Sequence, residues 1–209
     1  MILDLLVGKP VYFFIWLMAI FIGITIHEFA HAFAANAAGD PTAKNMGRLT
    51  LNPLAHIDLW GLLFLLLAGI GYGKPVPVNP YNLRNQKWGE VIVSAAGPLS
   101  NLLQIVIFGL ALKFLSFLGP DNLLVYFLFA LIYLNIILMV FNLLPIPPLD
   151  GSKIFLRLLP ASLDRFKLNY ERSGMMILLF LIIFDRLFNL GIFYRIFTFF
   201  TNLIFRFLG

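Results

Sequence analysis

Apolar residues along this chain gather into long unbroken runs, not the spaced stripes of helices that pack on a soluble core. The first run covers about 11–38. It is too long for a signal-peptide core and no polar mature region follows it, so it reads as a retained span. A polar stretch at 39–52 comes next, with turn residues around a short alternating segment, and predicts a small β-hairpin at the interface. The run at 59–72 is apolar but short: at about 1.5 Å per residue it reaches about 21 Å, against a hydrocarbon core of about 30 Å. Lys74-Pro-Val-Pro-Val-Asn-Pro80 must be extended, because residues before proline are pushed out of the helical region. Four more runs, at about 88–118, 123–144, 174–187 and 191–208, complete the chain, with Asp185 and Arg186 as the charged break between the last two. The pattern predicts an all-α polytopic membrane protein with about five to six transmembrane helices. A small membrane-associated β or re-entrant element at about 40–80 interrupts them. One domain fills 1–209, with a core at about 11–160 and accessory C-terminal helices at about 165–209.

Composition agrees with the pattern. The chain is 61% hydrophobic and 12% charged, where soluble domains average about 45–50% and about 25%. A soluble domain of this size leaves too much surface in water to hide so many apolar side chains, so they face lipid. The net charge of +5 resides in short loops between apolar runs, which points to cytoplasmic retention rather than to nucleic acid. If 59–72 turns back instead of crossing, Lys44, Arg48, Lys74, Arg84 and Lys87 share one side with Lys153, Arg157, Arg165, Lys167 and Arg172. That arrangement gives the stronger positive-inside bias, and it places the N-terminus outside and the C-terminus inside. Cysteine is absent, so thiolate metal sites and thiol nucleophiles are excluded.

Inside the first run stands His27-Glu28-Phe29-Ala30-His31, an H-E-x-x-H sequence. Imidazoles four residues apart on a helix differ by about 40° around its axis, so both reach one metal, with the intervening carboxylate beside them. Ionisable groups in a span are costly and normally functional. Zinc needs a third protein ligand. The extended pattern fails, because Ala34 and Ala37 occupy its further positions. Glu90 reads as a carboxylate at an interfacial helix start, and His56 as a surface or hairpin-bracing residue. Asp150 is the strongest candidate. It ends Asn142-Leu-Leu-Pro-Ile-Pro-Pro-Leu-Asp150-Gly151, where three prolines break a membrane helix and Gly151 permits close approach. Both histidines and Asp150 fall on one side of the membrane only if 59–72 does not cross.

These segments, together with Asn52-Pro-Leu-Ala-His-Ile-Asp58, Gly73-Lys-Pro-Val-Pro-Val-Asn79 and Ala96-Gly-Pro-Leu-Ser-Asn101, resemble the site-2 protease family of intramembrane zinc metalloproteases. The resemblance covers about 15–160. It implies one Zn2+ ion, with His27, His31 and Asp150 matching the ligands, Glu28 the general base and Asn142 the family's Asn near the metal. It also implies cleavage of peptide bonds within or next to the transmembrane segment of a substrate protein, by a minimal form without room for a PDZ or CBS domain. The location that follows is a bacterial or archaeal cell membrane, multi-pass, with the active site toward the cytoplasm.

Asn142 is then a candidate oxyanion donor. The extended segment suits capture of an unwound substrate by strand addition, with Val76 and Val78 as substrate-binding residues. Ala95, Ala96, Gly97, Ser100 and Asn101 form a small-residue patch for close helix approach, and Asn101 can also orient a ligand or the substrate backbone. The partners expected are the lipid bilayer and a substrate's transmembrane segment, with no nucleic acid. Nothing in the sequence sets an oligomeric state. The alternatives are a transition-metal transporter or a non-proteolytic metal-binding scaffold. Glu28 argues against both, as does the lack of a second intramembrane ligand set and of transporter-like repeats.

Overall fold

The structure, a computed structural model, describes residues 2–68, 71 and 73–208. Helix α1 (Ile2–Gly8) leads into α2 (Pro10–Ala37), which Pro10 starts at the position where its missing N–H costs nothing. A short α3 (Thr42–Asn45) and α4 (Leu59–Ala68) precede α5 (Gln86–Leu115), whose first turn is capped by the Asn85 side chain on Trp88 N at 3.0 Å. Then come α6 (Leu123–Asn142), capped the same way by Asn122, α7 (Asp150–Leu158), α8 (Asp164–Leu187) and α9 (Ile192–Leu208). Among the described residues the only β pairing is one isolated antiparallel bridge, Ile57 with Gly73.

Helices α2, α5 and α6 pack against one another and carry the core. Water drives little of this association within lipid, so close fit must supply it. Ala19 and Ala130 are fully buried between the helices, and a Cβ on Gly23 would meet Leu134 and Leu138 at 3.1 and 3.2 Å. Large apolar side chains such as Phe114 and Phe199 point outward, as lipid requires.

Among the described residues three helices are long and apolar enough to span: Pro10–Ala37, Gln86–Leu118 and Leu123–Asn142. The segments Ala161–Leu187 and Ile192–Phe207 meet at 92° and make a fourth if they count as one broken span, so the structure supplies three to four spans where five to six were expected. Asn189 and Gly191 turn that corner with φ of 49° and 66°, and Asp185 caps α9 through Ile192 N at 2.7 Å. The charged break at 185–186 is therefore a bend. Helix α9 lays Ile196, Phe197, Phe200 and Ile204 on the α5–α6 pair.

The 40–80 region differs from expectation in one half. No hairpin forms at 39–52. The chain there closes into α3 and turns, because Asp40 accepts the Thr42 N–H at 3.0 Å and starts a helical turn. Of the apolar positions in the supposed strand, Met46 and Leu51 are exposed and Leu49 is half-buried. The two ends of the 59–72 run meet. At about 1.5 Å per residue the ten residues of α4 reach about 15 Å, half the hydrocarbon core. The Ile57–Gly73 bridge and the Lys74 N–H on His56 O (2.8 Å) bring both ends of the excursion to one point. Gly69, Ile70 and Tyr72 of the 59–72 run lie outside the described residues.

Candidate active site

His27 and His31 lie one turn apart on α2, with Nε2 atoms 3.1 Å from each other. Asp150 Oδ2 closes the triangle, 3.3 Å from His27 Nε2 and 3.1 Å from His31 Nε2. All three residues are buried. Asp150 arrives as the first residue of α7, after the prolines at 145, 147 and 148 have ended α6. Gly151 is required there: a Cβ would sit 2.7 Å from Leu144 O and overlap the Leu143 carbonyl. An ion pair between Glu90 and Arg157 ties the start of α5 to the helix that carries Asp150, and this gives Glu90 its own partner away from the triangle.

The far side of each imidazole is held as well. Asn135 Nδ2 donates to Leu131 O at 2.8 Å, which leaves Asn135 Oδ1 to accept from Asn101 Nδ2 at 2.7 Å. Asn101 Oδ1 then faces His27 Nδ1 at 2.6 Å and must accept its proton. A backbone carbonyl, which can only accept, thus orients the whole relay. His31 Nδ1 donates to Val93 O at 2.7 Å by the same logic. Pro98 assists by position: lacking an N–H, it leaves the Ser94 carbonyl without its helical donor and loosens the turn of α5 that faces His31. Gly97 clears the space. A Cβ on it would lie 2.7 Å from His27 Nε2 and overlap His31 Nε2.

In the neutral imidazole with its proton on Nδ1, Nε2 is a lone pair, and both Nε2 atoms here face a carboxylate oxygen. In that state three acceptor atoms converge at 3.1–3.3 Å. Only a cation satisfies such a set. Two ligand atoms about 2.0–2.1 Å from a tetrahedral zinc lie about 3.3 Å apart, so the spacing fits. His27, His31 and Asp150 could therefore hold the ion, with Asn101 and Val93 O as the outer partners that metal-binding histidines normally have.

Glu28 Oε2 accepts the Val76 N–H at 3.2 Å. Val78 sets its side chain against the Ala35–Leu83–Val93 cluster. Asn101, expected to orient a ligand or the substrate backbone, is fully buried, with Oδ1 on His27 Nδ1 and one Nδ2–H on Asn135, so it orients His27. Asn142 donates one amide N–H to Leu138 O at 3.0 Å, in its own helix, and makes no hydrogen bond to the triangle. His56 is fully buried rather than on the surface. It braces the loop through Nε2 on Thr50 O at 2.7 Å.

Three residues that position the site went unread in the sequence: Asn135, Asp40 and Arg48. Asn135 did carry a signal, as a lone amide within an apolar span. Asp40 and Arg48 looked like ordinary loop charges, yet they are buried and hold the 74–79 segment at its two ends: Asp40 accepts Asn79 N at 2.7 Å, and Arg48 donates to Lys74 O. Beside the site an apolar cavity of about 480 Å³ opens between α2, α4, α6 and the α8–α9 corner. Its lining includes Ile24 and Gly73, and Gly73 also packs beside Glu28.

The sequence profile described as peptidase family M50 matches residues 15–120 and 119–184. The chain belongs to peptidase family M50. Among M50-like relatives, it is 38% identical to YwhC of Bacillus subtilis over 172 residues, 79% of this chain and 78% of YwhC. It is 37% identical to Rip2 of Mycolicibacterium smegmatis over 144 residues, 65% of this chain and about half (52%) of Rip2. MJ0611 of Methanocaldococcus jannaschii shares 32% over 145 residues, 68% of this chain and 69% of its own. All three carry the words zinc metalloprotease in their names. No solved structure is a significant match. This M50 chain is thus a multi-pass membrane metalloprotease with zinc as its cofactor.

Proposed function

We propose that the chain hydrolyses peptide bonds within or next to the transmembrane segments of substrate proteins, from a site that opens toward the cytoplasm of a bacterial or archaeal cell. The observation that carries this reading is the buried triangle of His27, His31 and Asp150 with Glu28 one residue along the same helix. Zinc held there supplies a Lewis acid that polarises the scissile carbonyl and lowers the pKa of water from 15.7 toward about 7. Glu28 takes the proton of the attacking water and returns it to the leaving amine. Its present partner, the Val76 N–H, is a group it can release to a substrate carbonyl. Asn142 keeps one uncommitted amide N–H for a developing oxyanion, a role worth about 2.7–4 kcal/mol where it has been measured. Val76 and Val78 would flank the unwound chain, and the apolar cavity beside Glu28 suits the side chains of a membrane segment. The basic loops around Lys74, Arg84 and Lys153 support the cytoplasmic side.

The test is zinc content and cleavage of a tethered transmembrane reporter, side by side, in wild type, Glu28→Gln and Asp150→Ala. Glu28→Gln should keep zinc and lose turnover, by a factor on the order of 10² or more; Asp150→Ala should lose zinc. Cleavage surviving in Glu28→Gln removes the base. Zinc without cleavage in wild type removes the intramembrane substrate class and turns attention to metal transport.

A further inference from the structure

Arg48 follows α3 in the loop and is only 6% exposed, with its N–H on Ala43 O at 2.8 Å. Its guanidinium donates through Nη2 to the carbonyl of Lys74, and its Nε is buried with no partner. Burying a guanidinium is costly unless charge and hydrogen bonds offset it. A neutral donor would hold one backbone carbonyl at far lower cost. The offset here comes from Glu28, whose charge opposes the fall in pKa that burial imposes on Arg48. Two residues beyond Lys74, the Val76 N–H donates to Glu28 Oε2 at 3.2 Å. The same three-residue stretch is thus gripped twice, by the guanidinium on the Lys74 carbonyl and by the carboxylate on the Val76 amide. Pro75 lies between with φ fixed near about −65°, so a shift at one grip is passed to the other. At the far end Asp40 holds Asn79, which leaves the stretch no slack.

We propose that Arg48 is a positioning residue for peptide hydrolysis: its hold on the Lys74 carbonyl sets the register of the 74–78 segment against Glu28, so that bound substrate meets the base in one geometry. The proposal rests on the protease reading above. Arg48 acts through the segment, without touching the metal ligands or the reacting atoms.

The experiment uses the full chain in detergent with the tethered transmembrane reporter, and follows kcat, KM and zinc content in Arg48→Gln, Arg48→Lys, Val76→Pro and the double variants. Misplacement by about 1 Å costs on the order of 10²-fold, so Arg48→Gln should lower kcat by about 10- to 100-fold, with KM moved less than about threefold. Zinc should stay at the wild-type level. Arg48→Lys keeps the charge and one donor and should recover most of kcat. Val76→Pro deletes the N–H given to Glu28, so adding Arg48→Gln to it should cost no more than about threefold further, the non-additivity of residues on one path. If Arg48→Gln fails to fold, the same cycle run with Arg48→Met, which keeps the aliphatic stem and removes the donors, decides the matter. Unchanged kcat, zinc lost together with activity, or additive losses in the cycle each overturn the proposal while wild-type cleavage and its loss in Glu28→Gln leave the protease reading standing. Absence of wild-type cleavage overturns that reading, and this one with it.

Discussion

A single hydrogen atom on Gly97 separates a metal site from a blocked one. The Cβ of alanine there would overlap His31 Nε2 and lie 2.7 Å from His27 Nε2, with both rings already locked by Asn101 and Val93. Gly97→Ala should therefore abolish zinc binding while the helices remain assembled, as read by metal content against the thermal melt. Zinc retained at the wild-type level would show that the rings can yield. Replacing Asn101 by Ala should act more gently, with a loss of about 10- to 100-fold in zinc affinity, since it removes only the outer partner. At this scale the sequence was legible where chemistry forces residue type and spacing: His27, Glu28, His31 and Asp150 stand out because ionisable groups are rare among apolar neighbours. Asn135, Asp40 and Arg48 were not legible, because their roles come from contacts 34, 39 and 26 residues away in the chain. Local pattern carries no trace of these.

Among the elements, the 74–79 segment is held in place by charges that belong to other parts of the chain. Asp40 takes hydrogen bonds from the Thr42 side chain and N–H, from Asn82 and from the Asn79 N–H. Burial raises its pKa, but these four donors outweigh burial and hold the carboxyl below the usual carboxylate range. A carboxylate with a depressed folded-state pKa stabilises fully above its unfolded value, about 3.9, and loses that contribution as the pH falls through the lower, folded value. Wild type should thus show a melting temperature that drops as the pH falls below about 4. Asp40→Asn should melt lower at neutral pH, on the order of 5 °C, and respond less to acid. Equal acid responses in the two proteins would clear Asp40 of this role. The same residue explains the missing hairpin. Alternation at 46–51 suggested strands, but a strand pair needs its backbone donors, and those of 45–48 return to carbonyls at 41–44 once Asp40 has started the turn.

For the whole molecule, the Ile57–Gly73 bridge decides on which side the chain continues. The absence of cysteine makes this easy to read. Single cysteines at Leu54 and Tyr81, 80% and 85% exposed on either side of α4, should both react with an impermeant thiol reagent from the cytoplasmic side. One at Phe117, beyond the far end of α5, should react from the opposite side. Labelling of Leu54→Cys and Tyr81→Cys from different sides would turn α4 into a true span and reverse the polarity of α5 and α6. Architecture was legible to the extent that apolar length measures membrane crossing. That worked for α2, α5 and α6. Length does not set how the C-terminal runs count, because it cannot reveal that Asn189 and Gly191 fold two apolar helices across each other at 92°.

Prolines at 75 and 77 have a consequence for the fate of the protein in a crowded bilayer. In 74–79 only Lys74, Val76, Val78 and Asn79 own N–H groups; those of Lys74, Val76 and Asn79 are committed to His56 O, Glu28 and Asp40, and that of Val78 has no partner among the described residues. An exposed strand with a full row of donors is a template on which other strands stack into aggregates. A strand with one donor to spare offers its neighbours almost nothing to build on. The same spacing keeps any chain that lies against the segment from becoming the first layer of a permanent sheet.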